Sequence, residues 1–380
     1  MSYDVVVVGG GAIGLATAYR LARERQKVCV LDAGELGREA SWAGGGLLSP
    51  VHPSQYPRPL IDLVHASTEL FPELAAELFD STGVSIELRR TGLVRIAVEA
   101  ADDADLVETA RLRRERSLPC ERPAAAELPR LGRALTLEAR GALFEPEIAQ
   151  VRNPRLLKAL IQALGLLGVE LAPHEAAADL VRSGDRVTGV RTGRRTIEAR
   201  EVVLAAGAWS GELARRSLGV DLPVEPVRGQ MVLIESPSGS LGPVVLGCGG
   251  RYLIPRADGR ILCGSTLEHV GFDRRSTVEG VRSILDAALR LAPGLAHGRV
   301  AATWGGLRPA TPDRLPYLGR VPGLAGLVLA TGHYRNGLVL TPITAALVED
   351  LVLGRAPRRD LAPFAPGRPL GDRDGPPARA

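Results

Sequence analysis

Cysteine is scarce in this chain: Cys29, Cys120, Cys248 and Cys263 are the only four in 380 residues. They form no C-x-x-C pair and no metal-ligand spacing, which argues against a disulfide scaffold and a zinc module. Cys29 falls within an apolar stretch and reads as a small buried hydrophobe. Aromatic residues make up 4% of the chain, and lysine is rare. No dense basic stripe alternates with aromatics, so nucleic-acid binding is not expected. No apolar run approaches the length of a membrane span. The first strand pattern begins at Tyr3, which leaves no room for a signal peptide. Together these absences lead us to expect a soluble cytoplasmic protein. His52, His65, His174, His269 and His297 show no paired spacing, so no metal site and no acid–base histidine are assigned.

Alanine, glycine, proline and arginine are plentiful instead. The length suits about two domains, and 45% apolar residues is ordinary for a globular chain. The net charge of +4 gathers near the end, where Arg355, Arg358, Arg359, Arg368, Arg373 and Arg379 face Asp360, Asp372 and Asp374. From about Arg355 onward proline, glycine and arginine dominate, and the composition predicts little order.

The strongest local signal is at the start. Tyr3 to Val8 is a valine-rich strand, followed by Gly9, Gly11 and Gly14 in G-x-G-x-x-G spacing. A helical pattern continues from Ile13 to Ala22, and a second strand, Val28 to Leu31, ends at Asp32. Strand, glycine turn, helix, strand and acid together make a dinucleotide-binding fingerprint. Gly9 permits the tight turn, and Gly14 lets the helix pack on the strand. Gly11 lets backbone approach a pyrophosphate at a helix N-terminus, where free N–H groups favour anions. Asp32 is placed to accept hydrogen bonds from ribose hydroxyls and disfavours a ribose phosphate. The motif by itself does not choose between FAD and NAD.

Beyond Asp32, three consecutive glycines, Gly44 to Gly46, follow Trp42 and would let backbone lie flat against a planar ligand. Leu60 to Ser81 reads as one helical pattern, Leu88 to Val98 as one or two strands broken at Gly92, and Asp102 to Arg116 as an exposed helix. Asn153-Pro154 signals a helix start. Ala178 to Arg182 and Val187 to Thr192 pair across the turn Ser183-Gly184-Asp185. Glu201 to Ala206 reads as a buried parallel strand returning to the first sheet. Val224 to Ile234 and Arg251 to Gly264 look antiparallel. Val278 to Leu291 is a helix, Leu327 to Ala330 a strand, and Pro342 to Leu353 a closing helix. The fold class is α/β: a Rossmann-type domain interleaved with a second, antiparallel-sheet-rich substrate domain. The expected boundaries are 1–87, 140–215 and 300–364 for the nucleotide domain, 88–139 and 216–299 for the substrate domain, and 365–380 for a disordered tail.

Five further segments carry a resemblance. Ser41-Trp42-Ala43-Gly44-Gly45-Gly46, Ala206-Gly207-Ala208-Trp209-Ser210, Arg228-Gly229-Gln230, Gly305-Gly306-Leu307-Arg308-Pro309 and Gly332-His333-Tyr334-Arg335-Asn336-Gly337 resemble motifs of the FAD-dependent D-amino-acid oxidase family. Within that family the chain is most similar to the glycine-oxidising branch of the thiamine pathway. The match runs from Tyr3 to about Pro366.

The resemblance implies noncovalent FAD. It would assign Gly9, Gly11, Ala12, Ile13 and Gly14 to the pyrophosphate, and Asp32 and Ala33 to the adenosine ribose, where the family usually carries Glu. It would place Ala177 near the adenine, and Ala40, Ser41, Gly44, Gly45 and Gly46 beside the flavin. His333, Tyr334, Arg335, Asn336, Gly337, Leu338 and Val339 would run along the flavin ring. Arg308 and Tyr252 match the substrate-carboxylate ligands, Arg335 a second arginine at the substrate end, and Leu267 a residue that would crowd larger substrates. No catalytic side chain is implied, because the flavin accepts the α-hydrogen.

The implied reaction is oxidative deamination of glycine, with sarcosine and small D-amino acids as further substrates. Oxygen would be reduced to hydrogen peroxide and the imine would supply thiazole formation for thiamine. A broader D-amino-acid dehydrogenase or oxidase is one alternative. A non-catalytic flavin-bearing RNA-binding or scaffold protein, contacting through the arginine tail, is the other. The expected partners are a small amino acid and oxygen, and a homo-oligomer is compatible with the pattern.

Overall fold

Valines make the Tyr3–Val8 strand apolar on both faces, as a parallel strand roofed by helices on either side must be. The computed structural model describes residues 2–49, 56–236, 241–247 and 249–370. His52, Cys248, Arg373 and Arg379 lie outside them. Tyr3–Val8 sits inside an eight-stranded sheet whose main path is Tyr317–Arg320, Leu327–Thr331, Thr196–Leu204, Tyr3–Val8, Val28–Leu31 and Glu170–Ala172. The last five run parallel, and Tyr317–Arg320 is an antiparallel edge. The expected hairpin is present as Ala177–Ser183 and Arg186–Thr192, added alongside Thr196–Leu204. Helices Ala12–Arg23, Asn153–Leu166 and Thr341–Val352 cover one face of this sheet. The hairpin and helix Ser210–Leu218 cover the other.

The second sheet has seven strands in the order Arg299–Ala310, Glu225–Glu235, Arg260–Gly264, Arg251–Pro255, Val244–Gly247, Leu93–Ala97 and Gly141–Glu145. Every neighbouring pair is antiparallel except Val244–Gly247 with Leu93–Ala97. Side chains alternate across it. Val232, Leu253 and Cys263 pack under helix Val278–Leu291, while Met231, Tyr252, Ile254 and Trp304 form the opposite face. A small third sheet joins Leu47–Leu48 to Ala149–Gln150 and Arg89–Arg90.

Several expectations are corrected. Gly141–Glu145, and Arg299–Ala310 beyond its first residue, fell on the nucleotide-domain side of the boundaries at 140 and 300, yet both strands pair within the second sheet. The pattern from Leu60 to Ser81 is two helices, Arg58–Glu69 and Phe71–Thr82. Pro72 lies in the first turn of the second, where its missing N–H costs nothing but cannot continue the first. The charged helix Ala100–Glu115 is not wholly exposed, since Arg113 is buried against Glu145 and the Pro119 carbonyl.

The expected disorder after Arg355 fails over residues 355–370. Arg358 pairs with Asp350, and Arg368 with Asp313. Arg368 also stacks over the Tyr317 ring at 4.3 Å, and Phe364 is buried. These arginines find partners inside the fold, so their composition alone misread them. The tail from 371 to 380 lies outside the described residues. Among the described residues no helix is long and apolar enough to cross a membrane.

Candidate active site

One cavity runs between the two large sheets and collects most of the residues singled out by sequence. At one end it is lined by Gly9, Gly11, Ala12, Ile13, Asp32, Ala33 and Ala177. Gly9 has φ +112°, a conformation L side chains avoid. Gly14 does not line the cavity; a Cβ there would stand 1.9 Å from the Gly9 carbonyl oxygen, so it serves helix-to-strand packing. The Asp32 carboxylate accepts N–H bonds from Gly10 and Gly34, both at 2.8 Å. Burial pushes its pKa up, and those two bonds oppose the shift. Ser41 caps the glycine helix from outside: its Oγ accepts the Ala12 N–H at 2.9 Å.

Further along, Ala40, Ser41, Gly44, Gly45 and Gly46 line the same cavity, opposite His333, Tyr334, Arg335, Gly337 and Leu338. Side chains have no room behind this glycine run. A Cβ on Gly46 would meet the Val151 carbonyl oxygen at 2.0 Å, and one on Gly45 would meet Ile254 at 2.8 Å. Asn336 and Val339 are buried beside the segment but are not among the lining residues. The Asn336 Nδ2 is buried with no hydrogen-bond partner among the described atoms.

At the remaining part of the cavity stand Arg308, Tyr252, Met231, Ile254 and Ser265. Period-two alternation along Arg299–Ala310 places Trp304, Gly306 and Arg308 on one face. Arg308 pairs in register with Val227, so its guanidinium reaches over the neighbouring Gly229. It donates to the Ser265 Oγ at 2.7 Å and to the Thr266 carbonyl at 3.2 Å. Among the described residues no carboxylate pairs with it. Desolvation pulls its pKa down, and Arg335 nearby adds to that, yet a guanidinium stays charged at neutral pH. The result is a desolvated cation lining the cavity, which is the chemistry of an anion site. Tyr252, itself buried, lines the cavity with its hydroxyl 3.5 Å from the Met231 sulfur.

Leu267 is not among the lining residues, whereas Met231, Tyr252 and Ile254 are. Sequence reasoning also missed residues behind the site. Asn153 was read only as a helix start, and Arg256 and Trp304 were given no role. A charged residue two positions beyond Ile254, on the face shared with Tyr252, was the signal available for Arg256. Among the described residues no group of three or more His, Cys, Asp or Glu gathers where a metal could sit.

His333 is the one histidine lining the cavity. Its Nε2 lies 3.1 Å from the Thr344 Oγ1, and burial drops its pKa from 6.5 to about 3. It is therefore neutral in the folded state across the working range. Between those two values the unfolded chain binds a proton that the folded chain refuses, so this histidine's contribution to stability rises with pH. Below 6.5 it is progressively lost as pH falls toward 3. His333→Gln removes the titration. The melting-temperature gap between the unaltered protein and this variant is expected to narrow on acidification. A gap constant from pH 7 to pH 4 would rule out a buried neutral imidazole.

Comparison with known proteins agrees with this geometry. The family model described as DAO, FAD dependent oxidoreductase, matches residues 4–351. The glycine oxidase of Pseudomonas putida is 46% identical over 98% of this chain and 100% of its own length. The bifunctional protein ThiO/ThiG of Synechocystis sp. is 35% identical over 96% of this chain, which spans 54% of that protein. The crystal structure of glycine oxidase from Geobacillus kaustophilus superposes with a TM-score of 0.92 at 36% identity, covering 97% of this chain and 100% of that one.

Proposed function

The chain belongs to the DAO family of FAD-dependent oxidoreductases, and we propose from that premise that it oxidises glycine to its imine and glyoxylate, with oxygen reduced to hydrogen peroxide. The cavity suits the cofactor: it is continuous from the glycine turn and Asp32 to the glycine run, and a Cβ at Gly45 would meet Ile254 and Tyr252, which line it too. Gly9, Gly11, Ala12 and Ile13 would hold the pyrophosphate, and Asp32 and Ala33 the ribose. Ala177 would lie by the adenine. Ala40, Ser41, Gly44 to Gly46 and His333 to Leu338 would hold the flavin end. The chemistry FAD supplies when bound is an acceptor for the α-hydrogen with its electron pair, regenerated by oxygen.

The observation that carries the substrate reading is Arg308, a half-buried, desolvated cation in the cavity with no carboxylate of its own among the described residues. A substrate carboxylate completes it through two parallel charge-assisted bonds. Tyr252 is placed to add a third bond, and Arg335 contributes positive charge from the same cavity. Anchoring the carboxylate fixes where the α-carbon rests, which is the protein's main contribution to rate. Carbon and nitrogen together give up two electrons and two protons to form the imine. Water then adds and ammonia leaves, giving glyoxylate, and oxygen takes up two electrons and two protons as peroxide. Release of the imine before hydrolysis would supply thiazole formation for thiamine.

An amine panel assayed for peroxide and oxygen uptake tests this reading. Glycine, sarcosine and D-alanine are expected to turn over, L-alanine to fail, and D-phenylalanine to be poor because Met231, Tyr252 and Ile254 crowd the pocket. A highest specificity constant for D-phenylalanine would replace the reading with a general D-amino-acid oxidase. Turnover without oxygen uptake would make the enzyme a dehydrogenase.

Gly229 offers a second test. A Cβ there would stand 2.1–2.3 Å from the Arg308 guanidinium atoms. The guanidinium is the flexible end of a side chain, so it would yield and the backbone would not. Gly229→Ala is expected to raise the KM for glycine about tenfold or more, the loss of roughly one charged hydrogen bond, with FAD content intact. An unchanged KM would mean Arg308 acts from another position.

A further inference from the structure

The run from Ser41 to Gly46 is unusual in how its carbonyls are spent. The Asn153 Nδ2 donates to the carbonyls of Ser41 and Trp42 at 2.6 and 2.7 Å. The Trp304 indole N–H donates to the Ala43 carbonyl at 3.1 Å. Arg256 donates to the Gly45 carbonyl at 2.7 Å, and the Val151 N–H to that of Gly46 at 2.8 Å. None of these four donors lines the cavity, whereas Ser41, Ala43, Gly44, Gly45 and Gly46 do. In a trans peptide the C=O of one residue and the N–H of the next point opposite ways. Tying the Gly45 carbonyl to Arg256 therefore turns the Gly46 N–H away from Arg256.

The three side chains come from separate parts of the chain. Asn153 opens helix Asn153–Leu166 and is buried. Trp304 belongs to the strand that carries Arg308, and its ring packs on Trp42 with centroids 5.2 Å apart. Arg256 follows the strand of Tyr252 and also bonds Gln150 and the Val151 carbonyl, each at 3.1 Å. Burial brings its pKa down to about 10. A desolvated arginine spent on uncharged oxygens needs a positional reason, since burying the charge is costly.

We propose that Asn153, Trp304 and Arg256 are positioning residues for FAD: they hold the carbonyls of residues 41, 42, 43 and 45 outside the cavity and so present the glycine run to the cofactor. Two of them sit on, or just after, the strands that carry the substrate ligands, so they also fix Arg308 and Tyr252 relative to that run. The inference rests on membership of the FAD-dependent family and not on the choice of glycine as substrate.

The test is FAD affinity of the apoprotein, read by quenching of flavin fluorescence during titration. Asn153→Ala and Arg256→Met each leave buried carbonyls unpaired and are expected to raise the FAD Kd about tenfold or more. Trp304→Phe removes one N–H and keeps a ring, and about a three- to tenfold rise is expected. Arg113→Met, which breaks buried bonds to Glu145 and the Pro119 carbonyl away from the loop, should lower the melting temperature with FAD Kd unchanged. If Arg256→Met does not fold, Trp304→Phe decides. FAD Kd values within twofold of the unaltered protein, or an equal loss in Arg113→Met, would overturn the proposal.

Discussion

Replacing Arg308 with methionine is expected to raise the KM for glycine by tens to thousands of fold while the purified protein keeps its FAD. Truncating one side of a buried charged pair costs about 2–5 kcal/mol, and each 1.4 kcal/mol is roughly tenfold in affinity. Methionine preserves most of the volume and leaves the Ser265 hydroxyl and Thr266 carbonyl without their donor. The loss should fall on substrate, because the cofactor-end residues such as Asp32 and Gly9 are far along the cavity from Arg308 and are held by their own bonds. Arg308→Lys should recover only part of the affinity: an ammonium keeps the charge but lacks the planar fork. Steady-state kinetics with a flavin-to-protein absorbance ratio separates the cases. A variant with normal KM would remove Arg308 from the carboxylate site. A variant lacking flavin would show that it supports the cofactor instead.

Gly14→Ala should strip the protein of cofactor. The new methyl would lie 1.9 Å from the Gly9 carbonyl oxygen and 3.2 Å from Val7. Both neighbours belong to the first strand and its turn, so neither swings aside as a long side chain would. Helix Ala12–Arg23 must lift off the strand, and overpacking of this kind costs about 1–3 kcal/mol. The displaced helix start is the part of the turn that faces the cavity, so about a ten- to hundredfold weaker FAD Kd is expected. Gly193→Ala, with nothing within 4 Å of its added Cβ, should bind FAD normally. Equal affinity in both variants would mean that the packing tolerates a wider gap than the geometry indicates.

Short-range spacing was the part of this molecule most legible in the sequence. Gly9, Gly11, Gly14 and Asp32 are set by one strand–turn–helix–strand unit, and the hairpin around Gly184 by its own turn. Long-range pairing was legible for the strand through Leu204, expected to return to the first sheet, but not for the strands of the second sheet. Arg299–Ala310 carries few β-branched residues and two adjacent glycines, a poor strand by composition. Those glycines are there because the Arg274 carbonyl and the Ala43 methyl press on them, where a Cβ would stand at 2.4 and 2.5 Å. Nothing local announces either neighbour. Gly141–Glu145 likewise is held by distant partners, pairing with Leu93–Ala97 and, at Phe144, with Glu121. The glycine run stood out by its own pattern, Arg308 and Tyr252 came from family resemblance, and the structure brings them to one cavity. Leu267 is not among the cavity's lining residues, and Asn153, Trp304 and Arg256, which bond backbone from outside the cavity, carried no signal in the resemblance.

The order of strands in the first sheet has a consequence for synthesis. Tyr3–Val8 is made well ahead of its neighbour Thr196–Leu204, which follows nearly two hundred residues later, and the strand beyond that, Leu327–Thr331, comes later still. Until then an edge of buried-type valines has no lasting partner, the kind of edge that recruits other chains. Such high sequence separation slows folding and lengthens exposure of aggregation-prone intermediates. From Tyr3 until Leu327 the nascent chain therefore carries its nucleotide sheet unfinished, and a chain stopped short of Leu327 would lack a strand of that sheet.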